Sequence, residues 1–253
     1  MVTTRPTVWT VAEQRRLVRA FRREAGGSGN SSLQAYLGSP VPVLGVRARP
    51  FRRIVAETAH RLVDRPPSEA RALARALWRG DLFEEKAAAI ELLRRRPLAR
   101  DEGTWRLASG WVDSATGWAL SDSLASGPIA SQVAARPERF AELLDWTRSP
   151  NLWRRRASTY ALRPWFRSGE LDRPFRLLER LIDDPERWVQ RAVGTWMREC
   201  WKQDPDRTER FLRREVLRLA PVTITVATER ASKRFRADLR GAKRERSGGR
   251  RGY

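Results

Sequence analysis

An indole and a carboxylate four residues apart, Trp118 and Asp122, are the pair in this chain best suited to chemistry. They lie in Thr-Gly-Trp-Ala-Leu-Ser-Asp-Ser-Leu-Ala-Ser, residues 116–126, where Thr116 is expected to cap a helix that starts near Gly117. Positions i and i+4 share a stripe on a helix, so Trp118 and Asp122 face the same way. Leu120 and Leu124 mark the buried side, and Trp118 lies two residues from Leu120, about 200° round the axis. An aromatic and a carboxylate facing away from the leucines suit a binding surface. The alternative is a second packed face, with Trp118 in the core and Asp122 capping a neighbouring helix.

Two further segments carry candidate residues. In Asn151-Leu-Trp-Arg-Arg-Arg-Ala-Ser-Thr-Tyr160, Asn151 is a plausible N-cap. Leu152, Arg156 and Tyr160 share one line, and Trp153, Ala157 and Tyr160 form an apolar stripe. Three consecutive arginines fan over most of the helix circumference, so Arg155 and Arg156 are candidates for bidentate phosphate contact, against the alternative of a solvated basic face. In Trp188-Val-Gln-Arg-Ala-Val-Gly-Thr-Trp-Met-Arg-Glu-Cys200, Val189, Val193, Trp196 and Cys200 read as the buried side. Arg191, Thr195 and Arg198 form a polar stripe beside it, with Trp196 a core residue rather than a ligand contact.

Composition narrows the chemistry. One cysteine, Cys200, excludes an internal disulfide and any Cys-rich metal motif. One histidine, His60, argues against His-based metal clusters and against a Ser-His-Asp triad. No metal and no organic cofactor is expected. Lysine and arginine number 51 against 30 acidic residues, a net charge of +21. Residues 230–253 hold ten basic and two acidic residues, which leaves +13 on residues 1–229. A body this basic repels itself unless a polyanion is nearby, so nucleic acid is the leading partner and an anionic membrane surface the second. The opening residues lack the apolar run of a signal peptide, and no apolar stretch is long enough to cross a bilayer. The sequence therefore predicts a cytoplasmic monomer that is nucleoid-associated when bound to DNA.

The elements that must position these residues are helices. Helical periodicity predicts segments near 9–25, 48–63, 68–78, 82–95, 101–112, 116–134, 137–147, 151–166, 173–182, 186–203, 206–217 and 222–240. The one β-rich window, Val222–Val226, falls inside a helical stretch. Connectors such as Ser149-Pro150, Ser168-Gly169, Asp184-Pro185 and Asp204-Pro205 recur roughly every 20 residues, so two helices per unit give a period of about 40. That predicts an all-α, HEAT-like repeat solenoid, an α-α superhelix with a concave DNA-binding face, over residues 1–240 as a single domain, against the alternative of an irregular helical bundle. Residues 241–253, rich in Gly and Arg, are expected to form a disordered basic tail.

Together the three segments resemble the AlkD-type alkylpurine DNA glycosylases, a HEAT-like repeat family. The resemblance runs through Trp-x-x-x-Asp-Ser-Leu (Trp118, Asp122), Asn-Leu-Trp-x-x-Arg (Asn151, Trp153, Arg156) and Val-Gln-Arg-Ala-Val-Gly with Arg-Glu after it (Val189 to Glu199). Upstream, Tyr36 followed by Pro42-Val-Leu-Gly-Val46 resembles the family's N-terminal tyrosine and glycine turn. Leu77-Trp78 followed by Phe83-Glu84 and Ala87–Ile90 resembles its next repeat. The match keeps its order over roughly residues 33–235. Ala119 stands where the family commonly has a first acid, and Thr195 where it usually has Trp.

The resemblance implies excision of cationic N3- or N7-alkylated purines from duplex DNA, in base excision repair of alkylation damage, without extruding the base. It makes Asp122 the catalytic carboxylate and Trp118 its aromatic neighbour, and it assigns DNA contacts to Tyr36, Arg155, Arg156, Arg191, Thr195 and Arg198. The loss of Trp at 195 opens one wall and would suit bulkier adducts. Two other readings remain: a non-catalytic nucleic-acid-binding repeat protein, and a helical scaffold for protein partners.

Overall fold

The computed structural model describes residues 7–26, 31–95 and 98–248, and no strand occurs among them. The chain is an all-α helical repeat whose contacts divide between Arg136 and Pro137 into two compact units.

The first unit contains α1 (Val8–Arg23), α2 (Ser31–Leu37), α3 (Ala48–Arg61), α4 (Pro67–Trp78), α5 (Phe83–Leu93), α6 (Glu102–Trp111), α7 (Trp118–Leu124) and α8 (Ala130–Ala135). Thr7 caps α1 by accepting from the Thr10 amide, and Thr10, Glu13, Leu17, Ala20 and Phe21 form its buried stripe. The Glu13 carboxylate in that stripe is neutralised by Arg16 at 2.9 Å and Arg61 at 3.0 Å. α5 is buried nearly all round and anchors the unit against α3, α4 and α7. Its two N-terminal glutamates sit where the helix dipole favours negative charge. Glu85 accepts from the Leu82 amide and from Gln14.

The second unit contains α9 (Phe140–Trp146), α10 (Leu152–Tyr160), α11 (Arg163–Ser168), α12 (Asp172–Glu179), α13 (Arg187–Gln203), α14 (Pro205–Arg214), α15 (Pro221–Ala227) and α16 (Lys233–Gly248). The long α13 is its spine and packs on α10, α12, α14 and α15. Gly194 lets α15 close on it, because a Cβ there would lie 2.9 Å from Val226 Cβ and 3.0 Å from the Thr223 carbonyl oxygen. Gln190 ties α13 to the preceding turn through the Ile182 and Asp184 carbonyls, and to α15 by accepting from the Thr223 hydroxyl. Five residues of the Val-Gln-Arg-Ala-Val-Gly motif are thus buried in packing, and Arg191 is exposed.

Several boundaries differ from the periodicity reading. Helix 151–166 breaks at Ala161–Leu162, where Pro164 is at home in the first turn of a new helix and not in the interior of a long one. Segment 222–240 breaks after Ala227, and Ser232 restarts it by accepting from the Phe235 amide. The helix expected to end near 240 continues to Gly248, eight residues into the expected disordered tail. Lys243 holds it there by donating to the carbonyls of Val216, Leu217 and Leu219. The rest of that tail, 249–253, lies outside the described residues.

Candidate active site

Thr116 does not cap α7. Gly117 takes the N-cap position with φ +86°, and the helix opens on Trp118. This backbone is forced by a crossing of two chain segments. A Cβ on Gly117 would lie 2.1 Å from the Gly38 carbonyl oxygen, and a Cβ on Gly38 (φ +63°) 3.3 Å from the Gly117 Cα. Gly117 has no room for a side chain, Gly38 is crowded, and both take the positive φ that glycine adopts without strain.

The crossing brings α2 onto the start of α7. Trp118 Nε1 donates to the Tyr36 carbonyl oxygen at 2.6 Å. The Tyr36 ring stands edge-on to the indole, centroids 5.4 Å apart and planes at 83°, with 69% of Tyr36 exposed. The aromatic pair is therefore fixed by an indole hydrogen bond and an edge-to-face contact.

One turn beyond, Asp122 is half-buried like Trp118, whereas Leu120 and Leu124 are in the core. The stripe expected to face away from the leucines does so. Immediately after it the helix kinks at Gly127, whose φ −101° and ψ −106° are not helical. Pro128 lacks the amide that would continue the regular ladder and disfavours helical backbone at the residue before it, which accounts for the kink. Ser126 Oγ donates to the Asp122 carbonyl at 2.7 Å and steadies the turn that carries the carboxylate.

The segment from α2 to α3 is held by a buried acid. Glu84, 4% exposed, accepts from the amides of Leu44, Gly45 and Val46 at 3.1, 3.0 and 3.3 Å. A carboxylate gathering three amides organises the glycine turn and the far end of the Tyr36 segment. Replacing Glu84 by Ala leaves three donors without their acceptor, at a cost of roughly 2–3 kcal/mol. The melting midpoint should fall by roughly 4–12 °C. A melt within a degree of the parent would show that water replaces the carboxylate at no cost.

The remaining candidates belong to the second unit. Asn151 caps α10 as expected, accepting from the Trp153 amide at 2.8 Å. Arg156 is 4% exposed; it donates to the Trp188 carbonyl at 2.5 Å and the Tyr160 hydroxyl at 3.1 Å, and its guanidinium lies 5.0 Å from the Tyr160 ring centroid and 5.9 Å from that of Trp188. Arg155 turns inward too. It grips Asp184 with two nitrogens, at 2.6 and 3.1 Å, and donates to the Ser149 and Pro150 carbonyls. Its hydrogen bonds join two turns, so the alternative of a solvated basic face does not hold at Arg155.

Arg191 is exposed, and Thr195 beside it donates to the Arg191 carbonyl at 2.9 Å. Arg198 is paired with Glu229 and Glu199, and the Arg198 guanidinium holds the Glu229 carboxyl below the usual carboxylate range. Trp196 is buried against Tyr160 and Phe166, as its spacing predicts. The residue that sequence reasoning passed over is Trp188, 43% exposed and 6.2 Å from Trp153. Its spacing from Arg191, Thr195 and Arg198, at i, i+3, i+7 and i+10, puts it on their stripe and was a readable signal.

Among the described residues no group of three or more His, Cys, Asp or Glu side chains is arranged to hold a metal ion, and no helix is long and apolar enough to cross a membrane. Cys200 is buried, and burial pushes its thiol up to about 12. Of the candidates, the first unit holds Trp118 and Asp122 on one stripe of α7 and Tyr36 against the indole.

A family model for DNA alkylation repair enzymes matches residues 17–231. Among solved structures, the fold is similar to that of a predicted DNA alkylation repair enzyme from Enterococcus faecalis (TM-score 0.71, 16% identity, covering 80% of this chain and 94% of the other). It is also similar to AlkD2 from Streptococcus mutans (TM-score 0.62, 17% identity, 85% and 97%) and to smu.31 from Streptococcus mutans UA159 (TM-score 0.58, 18% identity, 85% and 98%). Curated protein sequences yield no match.

Proposed function

The chain belongs to the DNA alkylation repair enzyme family, and from that premise we propose that it hydrolyses the N-glycosidic bond of cationic N3- and N7-alkylated purines in duplex DNA. The observation that carries the proposal is the Trp118–Asp122 stripe on the half-buried face of α7, with Tyr36 locked over the indole.

An alkylated purine of this class carries a full positive charge, so it leaves without strong protonation. That suits a site built without histidine. As the bond from C1′ to the base breaks, its electron pair neutralises the purine and positive charge moves onto the sugar, as in glycoside hydrolysis. The Asp122 carboxylate faces that cation and takes a proton from the water that adds to C1′, leaving an abasic sugar and a neutral base. The face of Trp118 adds cation–π attraction that grows with the charge. Neutral lesions gain little from either group and are expected to be poor substrates.

Among the arginines assigned to DNA, Arg191 is the exposed one, and we assign it to the phosphate backbone. Arg156, stacked between Tyr160 and Trp188, is assigned to shaping the surface that the backbone meets. The net charge of +21 supplies sequence-independent affinity. Each phosphate neutralised steepens the salt dependence of binding by about 0.9 in the log–log slope.

The test is release of 7-methylguanine or 3-methyladenine from alkylated duplex DNA. A free base plus an abasic strand is the expected product, and no release from any cationic adduct would overturn the proposal. Ala119 and Thr195, standing where the family pattern has an acid and a Trp, favour a second reading, a protein that binds duplex DNA without cutting the bond. It requires salt-sensitive binding with no abasic product.

A further inference from the structure

The family match ends at residue 231, and α16 begins at Lys233. This helix is nonetheless firmly seated on the second unit. Phe235 and Leu239 are buried, with the Phe235 ring 5.1 Å from Trp201. Arg236 donates to the Glu229 and Ala231 carbonyls at 3.3 Å, and Lys243 reaches three carbonyls that follow α14. At about 100° per residue, Phe235, Leu239 and Lys243 lie on one side of the helix.

A second stripe faces elsewhere. Lys233, Arg240 and Arg244 fall within about 40° of one another, centred about 120° from the buried side. All three are exposed, and none forms an ion pair among the described residues. Arg240 is steadied by Thr225 Oγ1 at 3.3 Å. At about 1.5 Å rise per residue, the three cations stand about 10 and 6 Å apart along a line of about 16 Å. Asp238 lies at least about 120° away from them.

We propose that this stripe is a phosphate-contact surface, by which α16 grips the backbone of duplex DNA and adds affinity without taking part in bond cleavage. The proposal rests on duplex DNA being the substrate. A row of exposed cations without an ion pair among the described residues matches a polyphosphate backbone in sign. The exposed side of α16 carries Ala237 and no bulky apolar residue between the cations, so it lacks the anchors of a membrane-surface helix.

The experiment compares the full chain with a Lys233→Gln/Arg240→Gln/Arg244→Gln variant in binding to undamaged duplex DNA over a salt series. The expected result is a log–log slope shallower by about 2–3, with the single-turnover excision rate at saturating protein unchanged. A conservative variant, Lys233→Arg/Arg240→Lys/Arg244→Lys, should retain the parent slope. An unchanged slope and affinity in the Gln variant overturns the proposal, as does an equal loss in the conservative variant, which would mean packing rather than charge. Loss of binding to anionic vesicles with duplex binding intact also overturns it. A changed slope in a protein that releases no base from any adduct upholds this surface and removes the glycosylase reading.

Discussion

Asp122→Asn should bind alkylated duplex DNA as tightly as the parent and release the damaged base roughly 10²–10³-fold more slowly. The substitution keeps the shape of a half-buried side chain one turn from Trp118 and removes only the charge and the basic oxygen. Binding is dominated by phosphate contacts, to which one neutral-for-negative change at the sugar contributes little. The transition state, by contrast, gains its positive charge at the atom the carboxylate faces, so the loss falls on the chemical step. Cationic purines also depart spontaneously, and the comparison is made on single-turnover rates above that background. Parent-level release by Asp122→Asn would remove this carboxylate from the mechanism. A parallel loss of binding and rate would make Asp122 a residue of the fold, the packing alternative that its spacing leaves open.

The helical repeat is legible in the sequence because its elements are amphipathic and its connectors carry Pro, Gly and Asp. α13 shows its buried side in Val189, Val193, Trp196 and Cys200, and the structure buries all four. Periodicity fails where no stripe exists to be read. α2 is seven residues long with none buried, so the helix that carries Tyr36 has no apolar pattern. The extended end of α16 is hidden for another reason: its Gly- and Arg-rich composition reads as disorder, while the anchor, Lys243 against three carbonyls, is a tertiary contact.

The site divides in the same way. The Trp118–Asp122 face follows from local geometry, since two leucines fix which side is buried. The partner of Trp118 does not, because the Tyr36 carbonyl is 82 residues away in sequence. The arginines are the least legible group. Arg154, Arg155 and Arg156 are adjacent and alike in type, yet Arg154 lies over Trp146, Arg155 clamps Asp184, and Arg156 is buried beside Tyr160 and Trp188. Their different fates depend on which acids, carbonyls and rings other helices bring near.

The contact between Gly38 and Gly117 carries the second large effect. Gly117→Ala should lower stability by about 3 kcal/mol: roughly 1–3 kcal/mol for a Cβ at φ +86°, ψ 150°, a region essentially reserved for glycine, and roughly 1–2 kcal/mol more for overpacking. The added methyl meets the Gly38 carbonyl, a backbone atom that cannot rotate away. The melting midpoint should drop by about 6–12 °C. Gly169→Ala is the milder comparison, because Gly169 lies in the left-handed helical region (φ +77°, ψ 7°) and has open space where its Cβ would sit. That variant should show only the cost of a left-handed Cβ, at most about half the loss in midpoint, and should keep the parent excision rate. Gly117→Ala should also slow excision by about tenfold or more at temperatures where it remains folded, because pushing α2 off α7 moves the Tyr36 carbonyl from the indole nitrogen, and small misplacements of catalytic groups are costly. Equal melting losses in the two alanine variants would mean that the crossing relaxes without strain. Parent-level excision by a destabilised Gly117→Ala protein would mean that Trp118 works without the Tyr36 segment to hold it.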